Sequence, residues 1–235
     1  MLQLITFGGN DQEPSMSPFC TKAMICLNLA GQEWTPDYNA DLPNLPRGKL
    51  PILRVGDRLI PDSNNIVRWL EEQGADLYPG LDRKQRALAY SVMRMLEENL
   101  RLGLVHDRWM DEGNWAVIKG VFFGGSDEAA EPVRAAQKAW LWGHGVARCD
   151  EAGRMEFMQP DLDVLTELLE GADWLFGDKP SAVDAFAVPL LSSLVNLWSE
   201  TALSRAITGN PVLMDYVARG RATFYPSLLG LQKAA

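Results

Sequence analysis

A small α+β domain followed by a larger all-helical domain is the fold class that this sequence predicts. Segment 1–76 alternates strand and helix patterns, whereas segment 83–235 shows helical patterns only. A short stretch rich in turn-forming residues, Tyr78–Asp82, lies between them and is typical of a linker. We therefore predict two domains, over residues 1–76 and 83–235.

The first domain begins with a strand pattern over Leu2–Phe7 and a helix that starts at Ser17 and Pro18. Serine is favoured at the N-cap, and proline is favoured at the first helical position because its missing N–H is not needed there. Gly31 predicts the end of this helix, and Glu33–Tyr38 predicts a second strand. Since a helix separates the two strands, we expect them to be parallel.

The remainder of the first domain predicts a β-hairpin and a second helix. Two short apolar runs flank Gly56 and Asp57, which is a hairpin pattern. The second helix starts at Ser63 and stops near Gly74. The resulting order, β-α-β-β-β-α, is typical of a thioredoxin-like domain.

The second domain predicts five helical stretches separated by turns. They cover Arg83–Asp111, Asp127–Val146, Asp161–Leu169, Pro180–Trp198 and Pro211–Arg221. The predicted turns include Gly124-Gly125 and Glu151–Gly153. In the fourth stretch Ser181 and Asp184 form an S-x-x-D pattern close to a capping box, so we interpret both as structural.

Composition excludes several classes of protein. A net charge of -9 with no basic cluster disfavours nucleic-acid binding. No apolar run approaches the roughly 20 residues that span a bilayer, and the first residues do not form a signal-peptide pattern. The three cysteines include no CxxC pair, and the two histidines lie far apart. We therefore expect a cytoplasmic protein without disulfides, a membrane span or a metal.

Four segments together indicate a family. They are Ser17–Cys20 with Lys22, Gly48–Leu53, Asp62-Ser63 and Phe176–Asp184. In this order they resemble the glutathione S-transferase superfamily. The resemblance implies a thioredoxin-like domain of β-α-β-α-β-β-α type, an all-α second domain, glutathione as co-substrate and a homodimer.

Further segments resemble one branch of that superfamily. They are Pro14–Cys20, Met95–Glu98 with Arg108-Trp109, and Gly143–Arg148. Together they are similar to the failed-axon-connections and metaxin-related proteins. This branch leaves open whether the chain is an enzyme.

Glutathione conjugation needs a thiolate near neutral pH, although a free cysteine thiol has a pKa of about 8.5. A hydroxyl at a helix N-terminus stabilises a thiolate by hydrogen bonding and through the helix dipole. Ser17 combines both features, and the resemblance makes it the predicted catalytic residue. From the sequence alone, Ser17 also fits an ordinary N-cap without a catalytic role. Ser15 is the nearest alternative to Ser17 as the catalytic hydroxyl.

The resemblance also implies a glutathione site. Pro51 is expected to be cis, which leaves the backbone of Leu50 free to pair with the cysteinyl backbone of glutathione. Asp62 and Ser63, at the start of the second helix, are expected to hold the γ-glutamyl group. Lys49 is a candidate for the glycyl carboxylate.

Three further residues complete the prediction. Cys20 is either a core residue or a reactive thiol, and Arg108 and Trp109 are candidates for the electrophile pocket. The predicted function is conjugation of glutathione to a small apolar electrophile, as in detoxification. The alternatives are a glutathione-dependent oxidoreductase or lyase that uses Cys20, and a binding module without catalysis.

Overall fold

The computed structural model describes residues 2–226 and contains one four-stranded mixed sheet. Its strands, β1 to β4, are Leu2–Ile5, Trp34–Asp37, Ile52–Val55 and Arg58–Pro61. They lie in the order β2-β1-β3-β4. The pair β1 and β2 is parallel, whereas β3 is antiparallel to both β1 and β4. The predicted crossover and hairpin are thus confirmed.

Two helices accompany the sheet, α1 over Pro18–Leu29 and α2 over Ser63–Glu72. Between β2 and β3 the chain forms only two single 3-10 turns, Leu42–Asn44 and Pro46–Gly48, where the β-α-β-α-β-β-α order has a helix. Prolines near the start of each turn and a left-handed residue, Arg47 with φ 64°, prevent a continuous helix here. The fold class is confirmed, with this one helix reduced to turns.

The remainder of the described chain is helical. Its helices are α3 Arg83–Met95, α4 Arg101–Met110, α5 Glu112–Phe123, α6 Asp127–Gly143, α7 Glu151–Leu169, α8 Asp184–Val195, α9 Ala202–Thr208 and α10 Pro211–Phe224. A single π-helical turn, Leu96–Leu100, joins α3 to α4, so the long predicted helix is one run with a bulge. This bulge lies beside the site described below.

Three details of the helical region differ from the prediction. Helices α5 and α9 lie outside all five predicted helical stretches. The predicted turn at Glu151–Gly153 is wrong, because this segment is the first turn of α7. Asp150 caps that helix by accepting a hydrogen bond from the Gly153 N–H at 2.9 Å, so the glycine lies inside the helix.

Helix α8 forms the centre of the hydrophobic core. Every residue from Asp184 to Leu194 is buried, and Phe186 contacts Phe19 of α1 with ring centroids 4.8 Å apart. Helix α10 approaches α8 closely at Gly220, where an added Cβ would lie 2.3 Å from a methyl carbon of Val188. The core therefore joins the sheet domain to the helical domain.

The Asp184 carboxylate organises the segment before α8. It accepts hydrogen bonds from the Ser181 N–H and hydroxyl, both at 2.8 Å, from the Leu175 N–H at 3.0 Å and from the Tyr216 hydroxyl at 2.8 Å. Of the predicted capping box, the bond from the Ser181 N–H to Asp184 is present, but the N-cap of α8 is Val183 rather than Ser181. Burial raises the pKa of Asp184, although the hydrogen bonds oppose this shift.

We expect Asp184→Ala to lower the free energy of unfolding by at least about 3 kcal/mol, because each buried donor left unpaired costs about 1–3 kcal/mol. Thermal denaturation followed by circular dichroism measures the change. Asp215→Ala is the control, since Asp215 is exposed on α10, and it should change stability by about 0.5 kcal/mol or less. Equal melting temperatures for the two variants would contradict the structural role of Asp184.

Candidate functional site

A cleft of about 360 Å³ lies between the sheet domain and the helical domain. One wall comes from the loop before β3 and the start of α2, and the other from the π turn and from helices α3, α4 and α6. The side chains of the first wall include Lys49, Leu50, Pro51, Asp62 and Ser63. The structure thus brings all five predicted glutathione-binding residues to one surface.

The peptide bond between Leu50 and Pro51 is cis, as predicted. The Pro51 carbonyl accepts a hydrogen bond from the Asp62 N–H at 3.1 Å, which ties the loop to the start of α2. Within residues 2–226 the backbone N–H and C=O of Leu50 have no hydrogen-bond partner. An extended peptide could therefore pair with Leu50 as an added strand.

The start of α2 presents an open polar surface. Asp62 has a left-handed backbone conformation, with φ 82°, and its carboxylate accepts the Asn64 N–H at 2.8 Å. Ser63 is only 2% exposed, and its hydroxyl has no partner in the part of the chain that the structure describes. A buried hydroxyl without a partner is unusual, because buried polar groups are nearly always hydrogen-bonded.

A buried ion pair crosses the base of the cleft. The Lys22 ammonium lies 2.8 Å from a carboxylate oxygen of Glu97, with exposures of 0% and 2%. Asn64 bridges the two, because it accepts from Lys22 at 2.6 Å and donates to Glu97 at 2.7 Å. Arg94 donates to the same carboxylate at 2.8 Å. This network connects α1, α2 and the π turn.

The wall from the helical domain is charged and aromatic. Its side chains are Arg94, Glu97, Glu98, Arg101, Trp140 and His144. The Arg101 guanidinium lies 5.0 Å from the ring centroid of Trp140, and the Trp140 and His144 rings pack at a tilt with centroids 4.4 Å apart. None of these residues was predicted to line the cleft, although Glu97, Glu98 and His144 lie in segments that carry the resemblance, because the α4 and α6 positions meet only in the folded chain.

The start of α1 holds the predicted catalytic residue. Ser17 caps α1, but its Oγ lies 3.5 Å from the Cys20 N–H, which is a long hydrogen bond. Ser17 is half-buried and is not among the residues that line the cleft. Ser15 is buried, donates to the Phe7 carbonyl at 2.9 Å and accepts from the Ser17 N–H. The role of Ser17 stays a prediction.

Cys20 is fully buried in the first turn of α1. Burial raises the pKa of its thiol, although hydrogen bonds with Thr6, Phe7, Ser17 and Ser15 oppose the shift. Since the thiolate is the reactive form, these surroundings disfavour a reactive cysteine.

Arg108 and Trp109 also lie outside the lining of the cleft. Arg108 donates to the Met16 carbonyl at 2.6 Å, just before Ser17, and burial lowers its pKa to about 10. Trp109 packs on Trp115, with ring centroids 5.5 Å apart. Their role toward an electrophile stays a prediction.

Residues 2–226 contain neither a metal-binding cluster nor a helix that could span a membrane. No group of three or more histidine, cysteine, aspartate or glutamate side chains is arranged to hold a metal ion. No helix within the same range has the length and apolar character needed to cross a membrane.

Comparison with known proteins identifies the class. The chain superposes on the crystal structure of glutathione transferase F7 from Populus trichocarpa with a TM-score of 0.62, covering 98% of both chains at 14% identity. Residues 18–114 match the family model of the glutathione S-transferase N-terminal domain, and residues 158–220 match that of the C-terminal domain. The chain belongs to the glutathione S-transferase superfamily.

Its relatives include both an enzyme and proteins of the predicted branch. Isoprene-epoxide–glutathione S-transferase of Rhodococcus sp. (strain AD45) is 28% identical, over 90% of this chain and 94% of that protein. Failed axon connections of Drosophila melanogaster is 27% identical, over 96% of this chain and 58% of that protein. Metaxins are relatives as well. The predicted superfamily and branch are confirmed.

We expect Lys22→Met to lower the free energy of unfolding by about 3 kcal/mol, because the buried Glu97 carboxylate loses its buried ammonium partner and keeps only the bonds from Asn64 and the more exposed Arg94. Urea denaturation measures this change. The control Lys138→Met removes an exposed lysine of α6 and should have little effect. Adding Glu97→Leu to Lys22→Met should recover part of the loss, since no unpaired charge is then buried. A single variant as stable as the wild type would refute this role of the ion pair.

Proposed function

We propose that this chain binds glutathione in the cleft and transfers it to a small apolar electrophile. The observation that carries the proposal is the buried, unpartnered hydroxyl of Ser63 at the start of α2, beside the cis peptide of Pro51. A helix N-terminus with a free hydroxyl suits a carboxylate, because both supply hydrogen-bond donors to an anion. Glutathione carries such a carboxylate on its γ-glutamyl group.

The backbone of Leu50 supports the same ligand. Its free N–H and C=O match the donor and acceptor of a cysteinyl residue in an extended peptide. The neighbouring Lys49 is exposed and lines the cleft, so it can reach the glycyl carboxylate. The Asp62 carboxylate uses one oxygen to cap α2, and the other can accept from the ligand's ammonium group.

The charges of the cleft favour an anionic ligand, although the chain as a whole has a net charge of -9. Arg47 lies 3.8 Å from Asp62, and Arg94 pairs with Glu97 and Glu98. Lys49 also lines the cleft and makes no ion pair within residues 2–226. Glutathione has a carboxylate at each end and a single ammonium group, so its net charge complements this surface.

Two features favour Ser17 over its competitors for thiolate stabilisation. Its hydroxyl accepts only a long hydrogen bond, at 3.5 Å from the Cys20 N–H, and otherwise contacts the weakly polar Cys20 thiol, so a ligand thiolate can compete for it. The hydroxyl of Ser15 is already committed to the Phe7 carbonyl. The thiol of Cys20 is buried with a raised pKa, which argues against the oxidoreductase or lyase alternative.

The relatives suggest what to test first. The Rhodococcus relative is a transferase named for isoprene epoxide, so an apolar epoxide is the first electrophile to assay. The similarity to Failed axon connections keeps a binding module without catalysis as the second candidate function. The homodimer, the cytoplasmic location and a role in detoxification stay predictions.

We expect Ser63→Ala to raise the Kd for glutathione by about tenfold or more, because a hydrogen bond to a charged group contributes about 1.5–3 kcal/mol. The melting temperature should not fall, since the Ser63 hydroxyl has no partner within the described chain. Isothermal titration calorimetry measures the Kd. Ser91→Ala, on the exposed face of α3, is the matched control. Wild-type protein that binds no glutathione would disprove the proposed function.

We expect Ser17→Ala to slow conjugation of an aliphatic epoxide by about tenfold to a hundredfold, because the thiolate loses a hydrogen bond. The pKa of bound glutathione, measured from thiolate absorbance against pH, should rise, with little change in Kd. Cys20→Ala should leave the rate nearly unchanged. The opposite pattern, with loss only in Cys20→Ala, would assign the chemistry to the cysteine.

A further inference from the structure

Arg101 is held rigidly at the first residue of α4, on the wall of the cleft that faces the glutathione-binding residues. Its Nε donates to the Glu97 carbonyl at 2.6 Å, within the π turn. Its guanidinium carbon lies 5.0 Å from the ring centroid of Trp140 and 5.7 Å from that of Phe19. Two aromatic rings therefore contact the guanidinium while its outer edge stays free.

The outer edge of Arg101 has unused donors. Within residues 2–226, Nη1 and Nη2 donate no hydrogen bond; the Glu98 carboxylate lies 4.0 Å from Nη2 and is already paired with Arg94. The side chain is only 19% exposed. Burial lowers the pKa of Arg101, and the nearby Glu98 and Glu97 carboxylates oppose this shift. The group nevertheless stays a cation, since arginine does not deprotonate in proteins.

The free Nη atoms of Arg101 favour a carboxylate as the ligand group. The two Nη atoms of a guanidinium form a planar fork that matches the two oxygens of a carboxylate. The flanking rings of Phe19 and Trp140 offer apolar surface next to the fork. A ligand that fits both has an apolar, preferably aromatic, body with a carboxylate at one end.

We propose that Arg101 anchors the second substrate, and that the preferred electrophiles are apolar molecules that carry a carboxylate. This inference rests on the proposed function, because it assumes that glutathione occupies the opposite wall. The carboxylates of glutathione have candidate partners there, in Ser63 with the start of α2 and in Lys49. Arg101 is then free for the electrophile.

The transfer step balances for such a substrate. With 4-(chloromethyl)benzoate, the glutathione thiolate attacks the benzylic carbon, the S–C bond forms, and chloride leaves with the electron pair of the C–Cl bond. The carboxylate on Arg101 takes no part in bond changes. Benzyl chloride undergoes the same displacement without the carboxylate, so the two compounds differ only in the group that Arg101 is proposed to bind.

A binding experiment tests the proposal without turnover. In the presence of saturating glutathione, the wild type should bind 4-methylbenzoate about tenfold more tightly than 4-methylbenzyl alcohol, as measured by calorimetry. Arg101→Gln should abolish this preference while the Kd for glutathione stays unchanged. The control is Arg148→Gln, since Arg148 lies 5.5 Å from the Trp142 ring in a similar pair but does not line the cleft.

Steady-state kinetics provide a second test of the proposal. The wild type should show a kcat/KM for 4-(chloromethyl)benzoate about tenfold above that for benzyl chloride. Arg101→Gln should lose this preference, and Arg101→Lys should retain part of it. The wild-type preference can be measured even if a variant is unstable.

Each contrary result has a distinct meaning. Equal binding of the acid and the alcohol by the wild type would overturn the proposal for Arg101 while leaving glutathione binding intact. A rise in the Kd for glutathione in Arg101→Gln would assign Arg101 to the glutathione site instead, and would also overturn it. Absence of glutathione binding in the wild type would disprove the proposed function itself.

Discussion

The buried ion pair between Lys22 and Glu97 is the constraint on which the cleft depends. A charge buried without its partner is costly, so the helices that carry these two side chains must stay in contact. Asn64 hydrogen-bonds to both groups and adds the first turn of α2 to the contact. The two walls of the cleft are therefore fixed relative to each other by side chains beneath it.

The π turn allows one short segment to serve both structure and binding. Glu97 of this turn is buried against Lys22 at the base of the cleft, while Glu98 of the turn and Arg101, the first residue of α4, line the cleft above it. The Arg101 Nε donates a hydrogen bond to the Glu97 carbonyl, and this bond holds the guanidinium between two aromatic rings. The unpartnered Ser63 hydroxyl belongs to the lining of the cleft, where a ligand can bind it, whereas the Lys22 and Glu97 side chains beneath it are paired.

Local sequence patterns predicted those elements that depend on neighbouring residues. Ser17 with Pro18, the Gly56-Asp57 hairpin and the start of α2 at Ser63 all lie where short-range capping and turn rules place them. The prediction failed for α5 and α9. Glycines at 113 and 120 weaken the helical signal of α5, and α9 spans only Ala202–Thr208, too short for a clear period. Tertiary packing stabilises both helices.

The sequence by itself determined the superfamily and the cis bond at Pro51, because these features lie within short contiguous segments, and it predicted that the residues around this bond bind glutathione. Only the tertiary structure decided that Lys22 is a buried partner of Glu97 and that Arg101 meets Trp140. These pairs are separated by 75 and 39 positions along the chain and belong to different helices. Local periodicity shows which face of a helix is buried, but the partner of that face is fixed by packing and by the need to neutralise buried charge.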